Sequence, residues 1–120
     1  SYTDFEYSDF RLNDTVFSAN GKLKAKVKVK NTGKRDGKEV VQLYVHDLVA
    51  SVSQPVQQLK AFKKVEVPAG KEVEVELEMP MEELSFCNEY LKRVVEPGDV
   101  EILIGRAADI IVFRKTIVVK

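Results

Sequence analysis

The sequence predicts an all-β fold, an antiparallel sandwich of about seven strands, and three observations carry that expectation. Residues 22–30 alternate lysine with Leu23, Ala25, Val27 and Val29, while residues 72–79 alternate glutamate with Val73, Val75, Leu77 and Met79. Strict period-two alternation marks a strand with one buried and one wet face. Opposite charges attract across an antiparallel pair and like charges repel. The simplest arrangement therefore sets these strands side by side, with five lysines facing four glutamates. The third observation is spacing: short strand-like runs, frequent turn signals and no stretch of helical periodicity.

The remaining elements follow in order. Phe5-Glu6-Tyr7 and Phe10-Arg11-Leu12 both alternate, but their apolar residues move from odd to even positions, and a bulge at Ser8-Asp9 absorbs the slip. Asn20-Gly21 is a turn signal leading into the lysine strand, which ends at Asn31-Thr32-Gly33. Lys34-Arg35-Asp36-Gly37 then connects to residues 40–45, apolar at nearly every position like a central strand. A long connection from His46 to Gln58 contains Pro55. Residues 59–67 form a weaker strand, closed by Pro68-Ala69-Gly70 ahead of the glutamate strand.

Pro80 ends the glutamate strand, and Met81-Glu82-Glu83-Leu84 suits a helical turn with Leu84 pointing inward. Glu96-Pro97-Gly98-Asp99 turns into residues 100–105, and residues 110–119 place Ile111, Phe113, Ile117 and Val119 on one alternation. The lysine strand is second and the glutamate strand fifth, which are neighbours in a seven-strand immunoglobulin-like order. Val27, Leu43, Val75 and Ile102 fall between the two sheets.

Length and charge bound the function. At 120 residues the chain is a single domain, 1–120, large enough to bury about two thirds of its unfolded surface. Basic and acidic residues both number 19, so the net charge is zero. A nucleic-acid partner needs a strong positive footprint, and none is expected. No apolar run is long enough to cross a bilayer as a helix, so no membrane partner is expected either. Ser1 opens directly into Tyr2-Thr3-Asp4-Phe5 with no secretory signal, as a processed or cloned fragment does.

The search for chemistry assigns no catalytic, cofactor-binding or metal-ligating residue. Cys87 and His46 are the only residues of their kinds, which excludes an internal disulfide and a zinc site of the Cys/His type. A nucleophilic Cys87 would need a base beside it, and a small packed residue near Phe86 is the simpler reading. Glu72, Glu74, Glu76 and Glu78 form one solvated face rather than the spaced carboxylate pair of a glycosidase. Glu82-Glu83 suits the start of a helical turn. Gly33 and Gly37 flank a basic hairpin connection with no following helix, so they are no phosphate loop. Asn13-Asp14-Thr15 fits the N-glycosylation pattern, which is short enough to arise by chance.

The connection between residues 45 and 62 is longer than a hairpin needs and carries Val49, Val52 and Val56. Together with its flanks it supports a resemblance. Gly37-Lys38-Glu39-Val40-Val41-Gln42-Leu43-Tyr44-Val45-His46-Asp47, then Ala50-Ser51-Val52, Pro55 and Leu59-Lys60-Ala61-Phe62, resembles the fibronectin type III-like domain that closes many glycoside hydrolase family 3 enzymes, the β-glucosidases and β-xylosidases. Lys30-Asn31-Thr32-Gly33, Val94-Val95-Glu96-Pro97-Gly98 and Ile104-Gly105 complete the pattern over essentially the whole chain. Residues 1–8 are similar to the segment that joins this domain to the preceding one and enters its first strand. Leu48, Gln54, Ala61, Cys87 and Ala107-Ala108 depart from the common residues of the family, respectively proline, arginine, glycine, an aromatic and two serines.

The resemblance implies a non-catalytic accessory domain, excised at its linker, that packs against and stabilises the catalytic domains of the same polypeptide. Family 3 catalytic carboxylates belong to those other domains, so none transfers to this chain. His46, Asp47, Val49, Val52, Gln54, Pro55 and Val56 are the expected interface, with a loop near the oligosaccharide at the substrate entrance. The family favours a periplasmic or extracellular setting over a cytoplasmic one. Two other classes compete. A carbohydrate-binding module wants exposed aromatics, yet there is no tryptophan and most phenylalanines and tyrosines take inward positions. A free-standing adhesion sandwich would act through an edge strand.

Overall fold

A computed structural model describes residues 4–47, 57–87, 90 and 92–120. The strands are β1 (Phe5–Leu12), β2 (Val16–Phe17), β3 (Lys22–Asn31), β4 (Gly37–Asp47), β5 (Gln58–Val67), β6 (Glu72–Pro80), β7 (Phe86–Cys87), β8 (Arg93–Val94), β9 (Gly98–Ala107) and β10 (Ile110–Val119). A three-stranded sheet in the order β1-β3-β6 faces a five-stranded sheet in the order β2-β10-β9-β4-β5. Among the described residues, β1, β3, β4, β5, β6, β9 and β10 are the strands of eight residues or more. Their grouping, first-second-fifth against seventh-sixth-third-fourth, is that of the expected sandwich.

The lysine and glutamate strands pair as their charges require. β3 and β6 run antiparallel with Lys24 opposite Glu78, Lys26 opposite Glu76, Lys28 opposite Glu74 and Lys30 opposite Glu72. On the other face of the same strands Leu23, Val27, Val29, Val75, Leu77 and Met79 are buried against Val41, Leu43, Val45, Ile102, Ile104 and Ile117 of the opposing sheet. All four residues placed between the sheets from sequence, Val27, Leu43, Val75 and Ile102, lie there.

The bulge in β1 is present. Its register against β3 shifts between Ser8 and Arg11, and Asp9 takes the left-handed φ of 53°. That shift keeps Phe5, Tyr7, Phe10 and Leu12 all packed on the core, and Phe10 stacks on Phe113 of β10 with centroids 5.4 Å apart. β2 is an addition that sequence alone did not anticipate. After β1 the chain crosses to the second sheet, where β2 runs parallel to β10 with Val118 opposite Val16 and Val119 opposite Phe17.

Turns end the strands where their residues dictate. Gly70 adopts φ 72° in the Pro68-Ala69-Gly70 turn, and Lys71 N donates to Pro68 O at 2.9 Å. At Gly37 a Cβ would come within 2.8 Å of Phe5 Cζ, so a larger residue would push that ring aside. Pro80 leads into a 3-10 turn, Met81–Leu84. Leu84 packs inward as expected, but the fully buried residue of the turn is Met81.

Asn31 is the main polar group inside the sandwich. Its Nδ2 donates to Val67 O at 2.9 Å and to Arg35 O at 2.8 Å, and its Oδ1 accepts from Gly33 N at 2.8 Å. One side chain thereby joins the end of β3, the following turn and the end of β5, with every strong polar atom satisfied.

Candidate interaction surface

The two sheets present contrasting outward faces. On the three-stranded sheet the outward positions are charged and pair with one another. Lys22 Nζ lies 3.4 Å from Glu78 Oε2, Lys26 Nζ lies 4.0 Å from Glu76 Oε2, and Lys28 Nζ lies 3.4 Å from Asp9 Oδ2. Arg11 Nη2 reaches Glu74 Oε2 at 2.5 Å. The paired groups of this face remain partly exposed to water.

The outward face of the five-stranded sheet is mixed. A polar row crosses it: His46 on β4 lies opposite Glu101 on β9, with Nδ1 and Oε1 3.7 Å apart, and Arg114 Nη1 on β10 approaches the same oxygen at 3.4 Å. Apolar groups lie on both sides of that row. Leu59 of β5, Tyr44 of β4 and Leu103 of β9 are in register, with Phe62 of β5 opposite Gln42 beside them. Tyr44 Oη donates to Gln42 Oε1. Leu103 is fully buried, whereas Phe62 is 60% and Leu59 48% exposed. Beyond the row, Val118 of β10 and Val16 of β2 lie side by side and exposed.

Of the residues expected from sequence to form an interface, His46 is half-buried in this row, and Asp47 ends β4 opposite Val100. Val49, Val52, Gln54, Pro55 and Val56 lie outside the described residues. Cys87 pairs with Arg93 in the β7–β8 ladder. Asn13 is committed to the sheet, its Nδ2 donating to Lys22 O at 3.0 Å and its Oδ1 accepting from Lys24 N at 2.8 Å. It takes the place of another strand residue beside β3, so the Asn13-Asp14-Thr15 pattern has a structural explanation.

Sequence reasoning gave no role to a buried ionic cluster at the end of the sandwich where β4 begins and β9 ends. Arg106 Nε lies 2.5 Å from Glu39 Oε2, and the two side chains are only 10% and 9% exposed. The contact is a charge pair more than an aligned hydrogen bond. The guanidinium also sits over the Phe5 ring, 5.4 Å from its centroid. Tyr7 completes the cluster. Burial first, and the nearby Glu39 carboxylate second, push its hydroxyl well above the ordinary tyrosine range, with Arg106 opposing. The cluster ties β1, β4 and β9 together beneath packed side chains, which is a structural arrangement. A depression of about 510 Å³ lies elsewhere and is lined by Ala19, Asn20, Glu82, Glu83, Ser85, Arg93 and Val95. It is a wide, shallow opening. Among the described residues no three His, Cys, Asp or Glu side chains come together as metal ligands do.

Comparison with known proteins agrees with this architecture. Residues 39–108 match the fibronectin type III-like domain. The chain is 42% identical over 105 residues to a periplasmic β-glucosidase of Salmonella typhimurium, covering 88% of this chain and 14% of that protein. It is also 42% identical over 108 residues to a β-xylosidase of Formosa agariphila, covering 90% of this chain and 15% of that protein. The crystal structure of a Listeria innocua β-glucosidase in complex with glucose superposes with a TM-score of 0.88 at 36% identity, covering 96% of this chain and 16% of that one. The chain thus spans about one part in seven of the curated relatives it matches.

Proposed function

The chain belongs to the fibronectin type III-like domain family, and from that premise we propose that it is the accessory, non-catalytic domain of a family 3 β-glycosidase of the β-glucosidase or β-xylosidase type. It packs against the catalytic domains of the same polypeptide and stabilises them. The observation that carries this reading is the pattern of coverage: 88–96% of this chain corresponds to only 14–16% of β-glycosidases. A self-contained sheet sandwich that recurs as a small part of much larger hydrolases supplies scaffold and surface, while the bond-breaking groups lie on the other domains.

The connection between Asp47 and Gln58, with Val49, Val52, Gln54, Pro55 and Val56, is assigned to that contact, near the oligosaccharide entrance. Valines in a long connection gain nothing from exposure on a lone domain, whereas an interface within one polypeptide buries them. Two measurements test the proposal. The purified chain should hydrolyse no aryl-β-glycoside. Polar replacement of Val52 should leave the isolated domain as stable as before and weaken the full-length enzyme. β-Glycosidase activity in the purified chain, or a full-length enzyme indifferent to disruption of this connection, would overturn the reading.

A further inference from the structure

We infer that the outward face of the five-stranded sheet, centred on Phe62 and Leu59, is the face on which this domain seats against the rest of its polypeptide. The surface it fits is apolar at the centre and acidic at the rim. This inference rests on the accessory-domain reading and adds the orientation that reading leaves open.

The opposite face is unsuited to the task. Its lysines and glutamates already neutralise one another and keep their contact with water, and covering them would strip solvent from a whole ladder of ions without supplying better partners. The five-stranded face carries its large apolar side chains in the open. Phe62 is 60% and Leu59 48% exposed on β5, beside the buried pair Tyr44 and Leu103. An aromatic and a leucine adjoining an already dry centre are what an interface core requires.

Charge and continuity identify the occupant. Lys64 lies two positions beyond Phe62 on the same strand and the same face, opposite Val40, and is exposed; among the described residues it enters no ion pair. Lys60 Nζ, by contrast, donates to Glu83 O at 2.7 Å. An uncompensated ammonium group at the border of an apolar patch complements a carboxylate at the border of the partner. The patch is carried by β4 and β5, the two strands that the residue 47–58 connection joins along the chain.

Hydroxyl-radical footprinting, comparing the full-length polypeptide with the 120-residue chain, tests the inference. Phe62 and Leu59 should be modified several-fold more slowly in the full-length protein, while Lys24 and Lys28 react alike in both. In the full-length protein, Phe62→Asp with Lys64→Glu should restore the reactivity of Leu59. Equal reactivity of Phe62 in the two proteins overturns the inference. Protection of Lys24 and Lys28 instead also overturns it, yet leaves the accessory-domain reading intact with a different face. Protection of neither face overturns it as well, and leaves the accessory-domain reading to stand or fall on disruption of the 47–58 connection.

Discussion

Reversing charge at two rungs of the ladder tests what sets β3 against β6. Lys26 Nζ lies 4.0 Å from Glu76 Oε2, and Lys28 lies opposite Glu74 with its Nζ 3.4 Å from Asp9 Oδ2. The side chains of the two ion pairs are 36–43% exposed, so solvent weakens each, and a pair of this kind stabilises by about 0–1 kcal/mol. Lys26→Glu with Lys28→Glu removes two such attractions and installs repulsions of similar size, so the expected loss is about 1–3 kcal/mol at low salt. The screening length is about 30 Å at roughly 0.01 M salt and about 3 Å at roughly 1 M. The second value is shorter than the 4.0 Å separation of the Lys26–Glu76 pair, so most of the loss should vanish there. Urea unfolding of the parent and the double variant at both salt concentrations gives the two losses. Lys26→Glu combined with Glu76→Lys restores one pair in reversed polarity and should recover most of the loss caused by Lys26→Glu alone. Equal losses at low and high salt, or a swap that recovers nothing, would refute electrostatic pairing as the source of register.

Leu43 is fully buried on β4, so Leu43→Ala should cost about 2–5 kcal/mol through lost transfer energy and a residual cavity; an unchanged denaturant midpoint would place the inward face of β4 wrongly. Asn31 is 1% exposed and makes three hydrogen bonds. Asn31→Ala strands its partners at about 1–3 kcal/mol for each one left bare, and a thermal midpoint equal to the parent's would show that water replaces the amide. Tyr7 ionises at higher pH in the folded chain than the ordinary 10.0 of the unfolded one. The stability tied to that proton is complete below pH 10.0 and lost progressively above it. Tyr7→Phe should therefore lose less stability than the parent on alkaline titration, and parallel alkaline limbs would contradict the burial of this hydroxyl.

Much of the fold was legible because the long strands obey one alternation, and the parts that were missed break it in an informative way. Leu23, Ala25, Val27 and Val29 establish the inward parity of β3, and Asn31 continues it. Val41, Leu43 and Val45 establish that of β4, and Glu39 lies on it; Ile102 and Ile104 do the same for Arg106. A polar residue on the core parity is a signal that a buried partner exists, although the pairing itself depends on three strands far apart in sequence. Asp9 was legible for the opposite reason, because the apolar parity changes across it. β2 carried no signal, since two residues are too few to alternate and the backbone bonds from Val118 N to Thr15 O and from Lys120 N to Phe17 O hold it in place. The outward face of the five-stranded sheet was only partly legible. Leu59 and Phe62 are separated by three positions, and the bulge between Leu43 and Tyr44 is needed to bring both outward.

Magnitudes explain why the two faces serve different purposes. Fully burying a leucine or phenylalanine side chain stabilises by roughly 1.5–3 kcal/mol. With about half of each side chain still exposed, covering Leu59 and Phe62 together is worth about 2–3 kcal/mol. Covering the ladder instead desolvates its ions at several kcal/mol each, a cost that attractions of about 0–1 kcal/mol per pair cannot offset. The ladder therefore faces water and holds register: a one-residue slip would turn the lysines of β3 into the core. β5 meets a second demand as an edge strand, since its unpaired backbone groups invite another strand. Lys60, Lys63 and Lys64 oppose such pairing along the edge while leaving Phe62 and Leu59 open on the flat of the sheet. A partner consequently gains by approaching the sheet face rather than extending the sheet, and Phe62→Asp should weaken that approach without creating a new strand pairing.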